Sequence, residues 1–135
     1  RKMMELFRQR KIRKTYIAFV QGNLSKPLGE ISDSLEGVSA VTKYKVIENR
    51  LHFSYLEVNP ITGRTNQIRI HLKNIGHPII GETKFAFRKD YSLKAKRLCL
   101  HAKSLDFIHP ITNRALSVSC ELSNDLKEFL TKHRY

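Results

Sequence analysis

The segment Gly63-Arg64-Thr65-Asn66-Gln67-Ile68-Arg69-Ile70-His71-Leu72 sets a tight turn against a helix start and carries two arginines five residues apart. Backbone N–H groups exposed at a helix start, together with guanidinium groups, suit a phosphate or a carboxylate. The same residues also suit a plain helix with one structural ion pair, so this segment alone fixes no function. Tyr16 offers a flat ring on a strand, which serves either as core packing or as a platform for a planar ligand. His71, His77 and His101 lie in separate segments without ligand spacing, so they read as packed or hydrogen-bonded side chains and no metal site is expected. Cys99 and Cys120 likewise show neither disulfide nor zinc spacing.

The elements that would position these residues follow from periodicity. Met3, Leu6, Phe7 and Arg10 recur at helical spacing, so residues 1 to about 11 read as the end of an amphipathic helix. Thr15 to Gln21 is apolar on both alternating faces, which predicts a central strand ending at Gly22. Gly, Pro, Ser and Asp between Asn23 and Ser39 predict a long surface loop, of a length that suggests a substrate-facing excursion. Ala40 to Glu48 and Leu51 to Val58 alternate and read as an antiparallel hairpin turning at Asn49 and Arg50. Ile68, Leu72 and Ile75 then predict a short helix capped by Thr65 or Asn66 and closed by Gly76. Short strands are expected around Arg97 to Ala102, Leu105 to Ile108 and Ala115 to Glu121, with a turn at His109 to Arg114. Ser123 can cap a last helix carrying Leu126, Phe129 and Leu130.

The chain of 135 residues suits one hydrophobic core. Its net charge of +13, from 25 basic against 12 acidic residues, would steer a polyanion to its surface. Seven basic residues fall in Arg1 to Lys14 and seven in Lys84 to Lys103, runs that also read as solvated faces when taken singly. RNA, DNA and anionic membrane surfaces all fit this charge. No apolar run approaches the roughly 18 residues that a spanning helix needs, so no membrane segment is expected. The opening at Arg1 carries no targeting signal and reads as the start of an excised piece. A reducing cytosolic or organellar compartment fits the two cysteines, and the cytoplasm is the expected location.

Five blocks, read in order, carry a family resemblance: Lys14-Thr15-Tyr16-Ile17-Ala18-Phe19-Val20-Gln21-Gly22, Ala40-Val41-Thr42-Lys43-Tyr44, the Gly63 to Leu72 segment, Gly76-His77-Pro78-Ile79-Ile80-Gly81 and Leu100-His101-Ala102. Together they resemble the RluA-type pseudouridine synthases of large-subunit ribosomal RNA, from the first residues to about Glu121. The resemblance implies an α+β fold, a mostly antiparallel mixed sheet flanked by helices, with residues 1–135 forming one partial domain, the carboxy-terminal part of the catalytic domain. It implies isomerisation of uridine to pseudouridine in structured RNA, with no cofactor. The N1 bond to the ribose breaks, the base turns over, and it rejoins through C5. In that family an Arg-Leu-Asp motif carries the reacting aspartate; this sequence contains no such motif, so the chain alone is expected to be inactive.

By motif position the resemblance makes Arg69 the residue that would hold that aspartate ionised. Tyr16 would stack on the uracil and relay the C5 proton. Arg64, Asn66, Gln67 and Leu100 would contact the substrate. Tyr16 and Arg69 should therefore share a cleft, and Arg69 should lack a full carboxylate partner within the chain. Asn66 stands where the family usually has histidine, and Glu82 where aspartate is common. The alternative of another class is a noncatalytic RNA-binding module of the same fold. A DNA-binding domain is disfavoured because no recognition helix or zinc-finger pattern is present.

Overall fold

A computed structural model describes residues 12–86, 93–109 and 111–134; the helix expected over residues 1 to about 11 lies outside them. Six strands form one sheet: β1 (Arg13–Gln21), β2 (Leu28–Ile31), β3 (Thr42–Asn49), β4 (Phe53–Pro60), β5 (Leu100–Ile108) and β6 (Ala115–Ser119). Their order is β2-β3-β4-β1-β5-β6, and each described pairing is antiparallel. Helices α1 (Gln67–Asn74) and α2 (Asn124–Lys132) complete the α+β architecture.

The two apolar faces of β1 are explained by what lies over each. Residues opposite one another on paired strands share a face. Tyr16 stands opposite Val58, which stands opposite Tyr44, so Thr42, two residues from Tyr44, is on the Tyr16 face. The hydroxyl of Thr42 meets His71 of α1 at 2.8 Å, which puts α1 over that face. Phe19 points to the other side, where its ring lies 5.6 Å from Phe129 of α2, and Phe53 lies 5.4 Å from the same ring. A helix thus covers each face, and Ile17, Ala18, Phe19 and Val20 are all buried. Arg50 ties α2 to the hairpin by donating from Nη1 to the carbonyls of Leu130 at 2.7 Å and His133 at 3.0 Å, a guanidinium at the negative end of a helix.

Beyond Ala18 the β5 side of β1 is taken over by another segment. The N–H of Gln21 donates to Pro78 O and the N–H of Ile80 to Phe19 O, while Cys99 N–H donates to Ile80 O. His77-Pro78-Ile79-Ile80 is therefore held like a short strand, with Ile79 and Ile80 in the core. This fixes the position of Gly81 and Glu82, which follow.

Several elements differ from the sequence reading. The expected loop of residues 23–39 contains β2, paired with β3, and a bridge between Leu35 and Val38. Leu51 belongs to the turn between β3 and β4 and is exposed, because the N–H of Arg50 closes that turn on Phe53 O. The two strands expected near residues 97–102 and 105–108 are one, β5. Asn66 is the N-cap residue of α1 but gives it no side-chain hydrogen bond. Ser123 likewise donates its hydroxyl to Asp125 Oδ1 instead of capping α2. Cys99 is buried, and burial pushes its thiol up to about 12 against the charge of Arg97, so it serves as a packing residue.

Gly81 has φ +88°, and a Cβ there would stand 2.1 Å from the carbonyl oxygen of Arg97. Gly76 has φ +85° with open space around it. Gly81→Ala is expected to lower stability by about 3 kcal/mol or more, and Gly76→Ala by only about 1–2 kcal/mol, the cost of left-handed backbone alone. Urea unfolding of both variants measures the difference.

Candidate active-site cavity

Strand register brings the first site residues together. Tyr16 is directly opposite Ala102 on β5, so Leu100, two residues away, is its diagonal neighbour on the same face. Pro60 occupies the equivalent diagonal position on β4. The turn after β4 then delivers Gly63 to Asn66, and α1 begins above them. Tyr16, Leu100, Arg64, Asn66, Gln67 and Arg69 all line one cavity of about 230 Å³, with Lys14 and Thr62 at its wall. Tyr16 and Arg69 thus share a cleft, as expected, although they are 53 positions apart. Tyr16 is half-buried: it packs against the hydrophobic core and also lines the cavity.

Gln67 is only 3% exposed, and its amide is fully used inside the protein. Its Oε1 accepts from Thr62 Oγ1 at 2.6 Å and from the N–H of Arg64 at 3.1 Å. Its Nε2 donates to Val41 O at 2.8 Å and Thr42 Oγ1 at 2.9 Å. That saturation assigns Gln67 to holding the turn, and leaves it no amide hydrogen for a substrate. The network runs on: His71 Nε2 donates to Asp33 O at 2.8 Å, so Nδ1 is left to accept from Thr42. Asn66, at φ 56°, turns the chain into α1. Arg64 donates from Nε to Ser39 O at 2.8 Å, so its other nitrogens have no partner among the described residues.

Arg69 departs from expectation. It donates from Nε to Glu82 Oε2 at 2.8 Å and from Nη2 to Glu82 Oε1 at 2.7 Å, a two-pronged ion pair within the chain. The Glu82 side chain is 1% exposed and that of Arg69 24%. Glu82 also accepts from the N–H groups of Lys84 and Phe85. The physical reason is desolvation: a carboxylate delivered into the interior by the strand-like 77–80 segment needs a cation and donors around it. Arg69 Nη1 has no partner among the described residues. The guanidinium carbon lies 5.1 Å from the centre of the Phe85 ring, so the group is fixed from two sides.

Burial pushes the Glu82 carboxyl up, but its bonds to Arg69, the Arg69 charge and the two backbone N–H groups outweigh this and hold it below the usual carboxylate range. The same pair raises Arg69 above its ordinary value, chiefly through the hydrogen bond to Glu82. Glu82, Lys14 and Phe85 were not singled out as site residues by the sequence reading. A signal was present for Lys14, two positions from Tyr16 on the same strand, and for Glu82, an acid between Gly81 and a basic run.

His77 and His101 are engaged with backbone. His77 Nδ1 donates to Gln21 O at 2.8 Å, and His101 Nε2 lies 3.5 Å from Cys120 O. No cluster of metal-ligating side chains occurs among the described residues.

Because the folded Glu82 carboxyl titrates below its unfolded value, its contribution to stability is present above the ordinary glutamate range and is lost as pH falls through the depressed value. Glu82→Gln is expected to cost about 2–3 kcal/mol at pH 7. The gap to the original chain should narrow on acidification below about pH 4. Denaturant titrations at several pH values test this; a gap independent of pH would mean that the pair's charge does not matter.

Comparison with known proteins gives the family and the fold. The family model described as RNA pseudouridylate synthase matches residues 1–74. A ribosomal large subunit pseudouridine synthase C of Buchnera aphidicola subsp. Baizongia pistaciae is 32% identical, over 96% of this chain and 48% of its own length. The dual-specificity RNA pseudouridine synthase RluA of Haemophilus influenzae is 33% identical, over 90% of this chain and 62% of its own. The chain therefore spans about half to two-thirds of the length of these relatives. Among solved structures, human RNA pseudouridylate synthase domain containing 4 superposes with a TM-score of 0.81 at 24% identity, covering 98% of this chain and 66% of that one. Human RNA pseudouridylate synthase domain containing 1 gives 0.73 at 22%, covering 97% and 69%; both show the fold. With a family model matched over more than half of its residues, this chain belongs to the RNA pseudouridylate synthase family, as its RluA-type resemblance implied, and three of the five sequence blocks line one cavity.

Proposed function

We propose that this chain forms the base-holding and RNA-holding part of a pseudouridine synthase, and that the reacting aspartate enters its cavity from a segment outside these 135 residues. One observation carries the reading: Tyr16, Leu100, Arg64 and Arg69 line one cavity, and among the described residues no acid lines it. A carboxylate is the group such a cavity lacks. Arg69 is held by Glu82 along one edge and keeps Nη1 for the incoming aspartate, which that contact would hold ionised.

In the proposed reaction the N1–C1′ bond of uridine breaks, the base turns over against Tyr16 and Leu100, and a C5–C1′ bond forms. N1 ends protonated and C5 loses its proton, so the reaction needs no outside reagent. The half-buried Tyr16 supplies the flat surface, and its phenol is the group suited to accept or relay the C5 proton. The cavity admits a base but is too small for a whole stretch of strand, so the uridine must leave its stack to enter. Gln67 holds the turn that carries Arg64 and Asn66 toward the RNA backbone.

Two finer readings go with this one. The RNA is ribosomal, in keeping with the names of the large-subunit relatives, and the compartment is the cytoplasm, which suits the free thiols of Cys99 and Cys120. No helix among the described residues is long and apolar enough to cross a membrane.

Tritium release from C5-labelled uridine in structured RNA tests the reading. The 135-residue chain is expected to release none, whereas a protein that carries an Arg-Leu-Asp segment ahead of it should turn over. In that longer protein Arg69→Ala should lower kcat by roughly a hundredfold or more while RNA binding falls only modestly. Turnover by the 135 residues alone at a rate comparable to the longer protein would overturn the division of roles. The chain alone should still bind RNA, with affinity falling roughly twentyfold between about 50 and 200 mM salt if about three phosphates of a single strand are neutralised; a flat response would rule out charge as the source of affinity.

A further inference from the structure

A second concavity, of about 660 Å³, shares the wall Gly63, Arg64 and Asn66 with the cavity that holds Tyr16 and Arg69. It lies on the other side of that turn, between the Leu35–Val38 bridge and the Lys84–Phe85 segment. We propose that this second cavity binds the base of a nucleotide adjacent to the target uridine in the same RNA strand. The inference rests on the proposed function, since it takes the first cavity to hold the uridine.

Size is the first argument. At about 230 Å³ the first cavity falls below the roughly 300–1,000 Å³ of pockets that take a drug-sized ligand, so the neighbouring nucleotides must lie outside it. The second cavity is within that range and begins where the first one ends. Its lining is the second argument. Leu35, Val38, Ile70 and Phe85 give it apolar surface, and Val38 is 45% exposed although it is aliphatic. Such a surface next to cations suits a base with its phosphate. Arg64, of which only Nε is committed among the described residues, to Ser39, and Lys84 supply the cations. Glu36 lines the same cavity; it disfavours a phosphate beside it and suits the amino edge of adenine, cytosine or guanine.

Phe85 joins the two sites. Its ring lies under Arg69 and also lines the second cavity, so a base seated there rests on the side chain that helps fix the guanidinium. A strand occupying both cavities would straddle the Gly63–Asn66 turn, with Arg64 beside the phosphate that links them.

The test is RNA binding by the 135-residue chain, which needs no turnover. The probes are a fluorescein-labelled seven-nucleotide RNA with one uridine flanked by adenosines, the same RNA with either adjacent adenosine made abasic, and the same RNA with the uridine made abasic. Loss of one of the two adjacent bases is expected to weaken binding roughly tenfold, and Val38→Asp or Lys84→Ala should weaken binding to the intact probe while erasing most of that difference. Both substitutions are on the surface, so the fold is retained. If only the abasic uridine matters, the second cavity is empty and the inference fails while the proposed function stands. If an adjacent base matters equally in both variants, that base is held elsewhere and the assignment fails. If no abasic position matters, the RNA is held by charge alone and both readings fail.

Discussion

The site depends first on the buried amide of Gln67. One side chain closes hydrogen bonds with the turn after β4, with the backbone of Val41 and with the hydroxyl of Thr42. Both of its donors and both acceptor positions are used, so loss of any partner would leave a buried polar atom unpaired at a cost of about 1–3 kcal/mol. Through Thr42 and His71 the same network reaches Asp33. The loop before β3, the strand itself, the arginine-bearing turn and α1 are therefore held as one unit, and the turn cannot shift without breaking bonds in the interior. This is how an exposed turn, with no packed side chains of its own, can keep Arg64 and Asn66 in fixed positions at a cavity.

The second constraint is electrostatic. Glu82 is an acid placed almost wholly out of water, and it is stabilised there by Arg69 and two backbone N–H groups. The pair is formally neutral, yet the geometry is not symmetric. Glu82 is enclosed, whereas Arg69 is partly open on the cavity side. An anion approaching the cavity meets the guanidinium and not the carboxylate. Arg64 adds positive charge at the same wall, so the local field favours a carboxylate or phosphate even though one arginine is already paired.

Much of the fold was legible in the sequence, for local reasons. The apolar character of both faces from Thr15 to Gln21 required a central strand, and β1 has neighbours on both edges and a helix on each face. The spacing of Ile68 and Leu72 marked α1, since both must reach the core. What was not legible depended on partners distant along the chain. β2 is four residues long and is a strand only because β3 offers an edge. Asn66 makes no side-chain cap with its left-handed backbone at φ 56°, and the capping expected of Ser123 failed because Asp125 takes both its hydroxyl and the N–H of Leu126. The joint placement of Tyr16 and Arg69 followed from the family motifs, not from periodicity. The partner of Arg69 was missed because Glu82 reaches it by way of the 77–80 segment lying against β1, and no pattern in that segment spells a strand.

The two arginines of the Gly63–Leu72 segment share one device. Arg64 is tied through Nε to Ser39 O, and Arg69 through Nε and Nη2 to Glu82. Each guanidinium is held at the Nε side, and among the described residues Nη1 of each has no partner. A planar group with five donors in a fixed fork can be anchored and still bind, because the free donors keep a known direction once the others are engaged. Lysine could not do this: its ammonium is a single point on a flexible stem, and holding it would spend the same charge that must act on the ligand. The ordering cost of these long side chains is met in the folded protein, before RNA or a carboxylate arrives, and so less of it remains to oppose binding. Arg64 in the tethered turn and Arg69 in the first turn of α1 therefore make a preorganised anion site, and the chemistry open to it is set by which anion reaches each one.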